Sequence, residues 1–128
     1  DVDRLLARLE QFVTESTDII PRAGDALAAG DLDAFGAEVD RSQRGVEQLL
    51  GNQVPETIFL AAAARRLGAA AASAFGAGFG GSVWALVEQS ATDPFLANWK
   101  AAYLAEFPDR TSARFFSTNA GPAAFRVC

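Results

Sequence analysis

At 128 residues, half apolar and about one fifth charged, the chain can bury the core of one domain and is too apolar for intrinsic disorder. Eleven Lys and Arg against sixteen Asp and Glu leave a net charge of −5, which argues against a duplex nucleic-acid binder. The chain has no His, which excludes a Ser-His-Asp triad, a Cys-His pair and a His-ligated zinc site.

Apolar residues at Val2, Leu5, Leu6, Leu9, Phe12, Val13, Ile19, Ile20, Ala23 and Leu27 recur at steps of three and four, predicting a helix with one apolar face. Pro21 falls inside it and should kink or interrupt it, because proline lacks a backbone donor. Gly30-Asp31 reads as a helix stop followed by an N-cap, and Leu32, Phe35, Val39, Val46 and Leu49 carry a second helix packed antiparallel on the first. Asp31 and Asp33 read as a cap and a dipole partner rather than paired catalytic carboxylates. After the break Gly51-Asn52-Gln53-Val54, Pro55 opens a third helix to about Leu67, slim at Ala61–Ala64 and closed by Gly68. Arg65-Arg66 sits in its last turn, where cations favour the carbonyl end.

Ala71–Phe75 and Ser82–Val87 read as strands flanking Gly76-Ala77-Gly78-Phe79-Gly80-Gly81, the second of them buried. Thr92-Asp93-Pro94 predicts a capped helix start with the buried stripe Phe95, Trp99, Tyr103 and Leu104, ended by Pro108. Trp84 is expected in the core with Trp99 and Tyr103. Ala113–Ser117 and Ala123–Val127 read as two further strands joined by residues 119–122. The expected fold is therefore α+β: three N-terminal helices packed on a four-stranded antiparallel sheet of two hairpins with an intervening helix, all one domain over 1–128.

The glycine run also matches G-x-G-x-x-G. A strand follows it where a dinucleotide site needs a helix, and no Gly-Lys-Ser/Thr ends it, so neither a Rossmann nor a Walker phosphate loop fits. Two readings stay open: a tight bulged hairpin, or a loop whose amides face a phosphate or sugar. Four glycines in six residues exceed what a bare hairpin needs, which favours the second.

Three segments, spanning about residues 24–88, resemble the carboxy-terminal domain of GHMP-type small-molecule kinases, most similar to the galactokinases. Ala29-Gly30-Asp31-Leu32-Asp33-Ala34-Phe35-Gly36 is similar to the family's "A-L-x-x-G-D-h-x-x-F-G". Ser42-Gln43 and Val54-Pro55-Glu56 resemble its "S-H" and "C-P-E-L-D" segments, and Gly76–Gly81 leading into Ser82–Val87 resembles its third motif. The resemblance implies a ferredoxin-like fold and transfer of the γ-phosphoryl group of ATP, with Mg²⁺, to a sugar, galactose first and another sugar or polyol next. It implies too that the phosphate loop, the catalytic aspartate and most sugar contacts belong to an amino-terminal domain absent from this chain, which alone should be inactive. Gly76, Ala77, Gly78, Phe79, Gly80 and Gly81 would then line the interdomain cleft as the substrate and phosphate loop. Ser42, Gln43, Asn52, Gln53, Ser73 and Phe75 are candidate cleft-lining residues, and no residue of the chain is expected to be catalytic or to bind metal.

This sequence departs from the galactokinase pattern where Ser73 and Phe75 replace a basic residue and a Thr, where Gln43 replaces His, and over Gly45-Val46-Glu47-Gln48, which replaces an Arg- and Asp-rich run. A cleft with less positive charge and one more aromatic ring suits a different sugar. The single cysteine, Cys128, suggests a reducing, cytoplasmic setting, and no apolar run is long enough for a membrane span. With no Met even at position 1, the chain reads as a domain excised from a longer polypeptide. Its interdomain face should then be unusually apolar and could support a dimer. The alternative is a free-standing, non-catalytic domain of the same fold that senses a small ligand or mediates assembly.

Overall fold

Helix caps set the first half of the molecule. The computed structural model describes residues 1–121. Helix α1 (Val2–Thr14) starts on Asp1, whose carboxylate accepts the Asp3 N–H at 3.1 Å. It passes through a π-helical turn (Glu15–Ile19) into α2 (Ile20–Ala29). The helix is thus not interrupted at Pro21. Instead the Ile20 N–H reaches the Glu15 carbonyl in a widened turn just ahead of the proline, where a tighter turn would meet the pyrrolidine ring. Gly30 closes α2 at φ 72°, and the Asp31 carboxylate accepts the Ala34 N–H at 2.9 Å to start α3 (Leu32–Gly45). A second π-helical turn (Val46–Leu50) ends at Gly51, φ 66°, and Pro55 opens α4 (Pro55–Arg66).

Strands β1 (Ala71–Phe75) and β2 (Ser82–Leu86) form an antiparallel hairpin with Ala71 opposite Leu86 and Phe75 opposite Ser82. Helices α3 and α4 both pack on β1, and α5 (Thr92–Glu106) packs on α4. Alanine makes this close packing feasible: Ala61, Ala63 and Ala64 of α4 and Ala69, Ala71 and Ala72 around β1 are all buried. At Gly36 of α3 an added Cβ would overlap the Ala70 carbonyl oxygen, so the helix meets the strand backbone directly. Phe95 and Trp99 of α5 complete the core, and the Trp99 indole N–H donates to the Leu60 carbonyl at 3.0 Å.

Several expectations are corrected. The four-stranded sheet is not formed: among the described residues the sheet has two strands. Ala113–Ser117 is not a strand but an irregular segment. Its Phe115 ring packs on Trp99 and Tyr103, with centroids 5.4 and 5.8 Å apart, which holds the segment over α5 rather than in register with β2. The expected strand Ala123–Val127 lies outside the described residues, as does Cys128. The first helical arm packs mainly on α3 rather than on the sheet: α2 lies on α3, and α3 in turn lies on β1. Strand β2 is only half-buried, because Val83, Ala85 and Val87 alternate inward and Trp84 and Leu86 outward, so Trp84 is exposed. Helix α5 begins before its supposed cap: a 3₁₀ turn (Gln89–Ala91) leads in, no side chain caps it, and Thr92 instead donates to the Glu88 carbonyl at 3.3 Å.

Candidate functional site

The glycine loop between β1 and β2 needs its residue types. Gly76, Gly78, Gly80 and Gly81 lie at φ 90°, 88°, 112° and 104°, and Phe79 between them at 59°. Only glycine enters that region without steric cost, so Phe79 is strained by roughly 1–3 kcal/mol that neighbouring contacts must offset.

Those contacts come from Asn52, in the break before α4. Its backbone carbonyl accepts the Phe79 N–H at 2.5 Å, and its side-chain amide donates to the Ala77 carbonyl at 3.0 Å. Gly78 lies between these two bonds, where an added Cβ would come within 2.6 Å of the Asn52 Cγ and closer still to its carbonyl oxygen. Gln53 donates to the Asn52 side-chain oxygen at 3.0 Å, and the Thr57 hydroxyl donates to Gln53 at 2.9 Å. Asn52 and Thr57 are both buried. The loop is therefore latched to the start of α4 through Asn52, Gln53 and Thr57.

A second clip lies at the base of the loop. The buried Gln43 side-chain oxygen accepts both the Ser73 hydroxyl and the Ala74 N–H at 2.8 Å, and its amide donates to Glu47 at 2.8 Å. This pins the outer edge of β1 to α3 one residue before Phe75. Among the described residues no buried side-chain nitrogen or oxygen lacks a partner.

Residues 25–105 match the family described as GHMP kinases C terminal. The chain belongs to this family. No curated protein matches it.

For this GHMP kinase C-terminal domain the candidates separate into four groups. Asn52 and Gln53 join the glycine loop, while Gln43 and Ser73 join each other beneath it. Ser42 points elsewhere, donating to Glu15 at 2.9 Å in the π-helical turn of the first arm. Phe75, just before the glycines, and Phe79, among them, are 69% and 73% exposed. Thr57 belongs to the latch and Glu47 to the clip beneath it, and neither is among the candidate residues of the sequence. Each had a signal: Thr57 is three residues after Val54, whose N–H it accepts at 3.2 Å in half a capping box, and Glu47 is four after Gln43 on one helix.

Groups with shifted protonation lie away from the loop. Asp18 is held below the usual carboxylate range by its hydrogen bond from Arg41 and by Arg22. Glu56 is lowered by its own backbone N–H and by Arg110, and burial raises Tyr103. The loop itself, residues 76–81, carries backbone amides and the Phe79 ring, with Phe75 at the end of β1 beside it. Arg65 is structural as well, pairing with Asp40 at 3.0 Å and donating to the Ala69 and Ala70 carbonyls beyond the end of α4. Among the described residues no three His, Cys, Asp or Glu side chains are grouped as a metal site would need, and no helix is long and apolar enough to cross a membrane.

Proposed function

We propose that the chain is the carboxy-terminal lobe of a galactokinase-like sugar kinase that transfers the γ-phosphoryl group of ATP to a sugar hydroxyl. The observation that carries this reading is the loop 76–81 latched by Asn52, with Phe79 kept in a strained conformation and its ring in solvent. Folding gains nothing from an exposed phenylalanine at positive φ, so a residue there is better explained by what it meets across a cleft.

The glycines allow a phosphate or sugar to approach the loop's backbone closely, and turns that line up successive N–H groups form concavities that suit anions. They supply no carboxylates for Mg²⁺ at the loop. The metal, the phosphate loop and the catalytic base belong, on this reading, to a separate amino-terminal lobe. ATP and Mg²⁺ supply the phosphoryl group and neutralise its charge there. This lobe orients the substrate and excludes water from it.

Galactose leads the substrates, and the departures from the galactokinase pattern favour testing others. Gln43 and Ser73 are tied up beneath the loop, so they act by setting where β1 ends. Phe75 is the departure that faces solvent beside the loop, and its exposure supports reading it as the residue that selects among sugars.

The test is sugar-dependent ADP release by the full native polypeptide with Mg-ATP, over galactose, other hexoses and polyols. Turnover with one sugar is the expected result, with Phe75→Thr changing the ranking of sugars more than it changes ATP affinity. A polypeptide containing both lobes yet inert on every sugar would overturn the kinase reading and favour ligand sensing or assembly.

A further inference from the structure

Helix α1 is amphipathic with its apolar side turned away from the domain. Towards the domain it presents Ala7, Gln11, Thr14 and Glu15. Gln11, Thr14 and Glu15 line a shallow cleft with Arg41 and Arg44, whose rim Glu10 also reaches, and Glu15 accepts the Ser42 hydroxyl. On the other side Val2, Leu5, Leu6, Leu9, Phe12 and Val13 fall within an arc of roughly 120° at about 100° per residue. All six are exposed, from 46% at Val13 to 69% at Val2, and no residue of α1 is buried.

Charge borders the arc asymmetrically. Arg4 and Arg8 lie along one flank, Asp3 and Glu10 along the other. Among the described residues none of these four enters an ion pair.

We propose that a second copy of this chain covers this face, with α1 packed against α1 of the copy and the two helices parallel. The six side chains expose on the order of 700 Å² per copy, close to the roughly 800 Å² per partner of a standard stable interface. The direction follows from the flanks. A twofold axis along the helices sets the basic flank of one copy against the acidic flank of the other, so Arg8 meets Glu10 of the second copy and Glu10 meets its Arg8. An antiparallel pair would bring like flanks together. α1 carries none of the loop or its latch, but the kinase reading places an amino-terminal lobe ahead of it, so a full native polypeptide that sediments as a monomer would assign this face to that lobe and overturn the proposal.

Sedimentation of the chain tests it. A dimer is expected at about 100 μM, a concentration that a micromolar interface saturates. Leu9→Glu should raise its dissociation constant roughly 100-fold or more while leaving the helical circular-dichroism signal unchanged, since Leu9 is not part of the core. Arg8→Glu and Glu10→Arg should each weaken the dimer about fivefold or more, and the double swap should restore it to within roughly twofold, because only the parallel arrangement re-forms the pair. A monomer at that concentration, a dimer indifferent to Leu9→Glu, or a double swap no better than the single changes would each overturn the proposal.

Discussion

Gly78 and Gly24 should answer the same substitution with opposite signs. Gly24 sits in the exposed middle of α2 with open space around its Cβ position, so Gly24→Ala should stabilise the chain by roughly 0.5–1 kcal/mol. Gly78→Ala meets both a φ of 88° and the Asn52 backbone, and should destabilise by at least about 2 kcal/mol. Urea midpoints at constant slope would read both. Asn52→Asp keeps the size of the side chain but removes the donor to Ala77 and leaves a carboxylate facing a carbonyl. A loss of roughly 2–3 kcal/mol is expected by the same assay. The run of glycines was legible as a loop from composition alone. That Gly78 is the most closely hemmed of them, and Asn52 the reason, required the approach of a segment 25 residues earlier in the chain.

Among the elements, the edge of β1 and the π-helical turn of the first arm make the clearest cases. Gln43→Leu would leave the Ser73 hydroxyl and the Ala74 N–H without their shared acceptor, costing about 2–4 kcal/mol and loosening the hairpin first. Hydrogen exchange at Ala74 should rise more than at α4 core amides. Asp18 ties the turn to α3 through Arg41 and to α2 through Arg22. Its folded-state pKa is depressed, so the unfolded chain takes up the proton first. The stabilisation is therefore present above the ordinary carboxylate range and is lost as pH falls through the folded-state value. Denaturation midpoints should drop with acid, and Asp18→Asn should flatten that part of the profile. Helix positions were readable because caps and stops are local: Asp31, Gly30, Gly51 and Pro55 act on their neighbours. Helix α5 shows the limit, since Thr92-Asp93-Pro94 has the composition of a cap and yet the helix starts through a 3₁₀ turn.

The hydrophobic cluster is continuous from Ala63 and Ala64 of α4 through Ala72 of β1 to Phe95 and Trp99 of α5, with Phe115 packed on its edge. Phe115→Ala should release the segment around it and cost roughly 2–4 kcal/mol, with a red shift of tryptophan emission as Trp99 meets water. That segment has the alternation of a strand but its burial comes from one ring on an aromatic cluster. Periodicity cannot distinguish that from a ladder, because both bury alternate residues. The same limit applied to α1, whose apolar face is conspicuous in the sequence and faces away from the domain in the structure.

Local chemistry was enough to place the helices, the hairpin and the glycine loop, and the resemblance carried by residues 24–88 agrees with the family match over 25–105. Capping, positive φ and side-chain period act over a few residues and leave their mark in the order of residue types. The two-stranded sheet, the outward apolar face of α1, the exposure of Trp84 and the latch of Asn52 on Gly78 depend on which surfaces meet. That is settled by packing between segments distant in the chain, where steric fit and hydrogen-bond satisfaction act and a single sequence carries no direct trace of the partner.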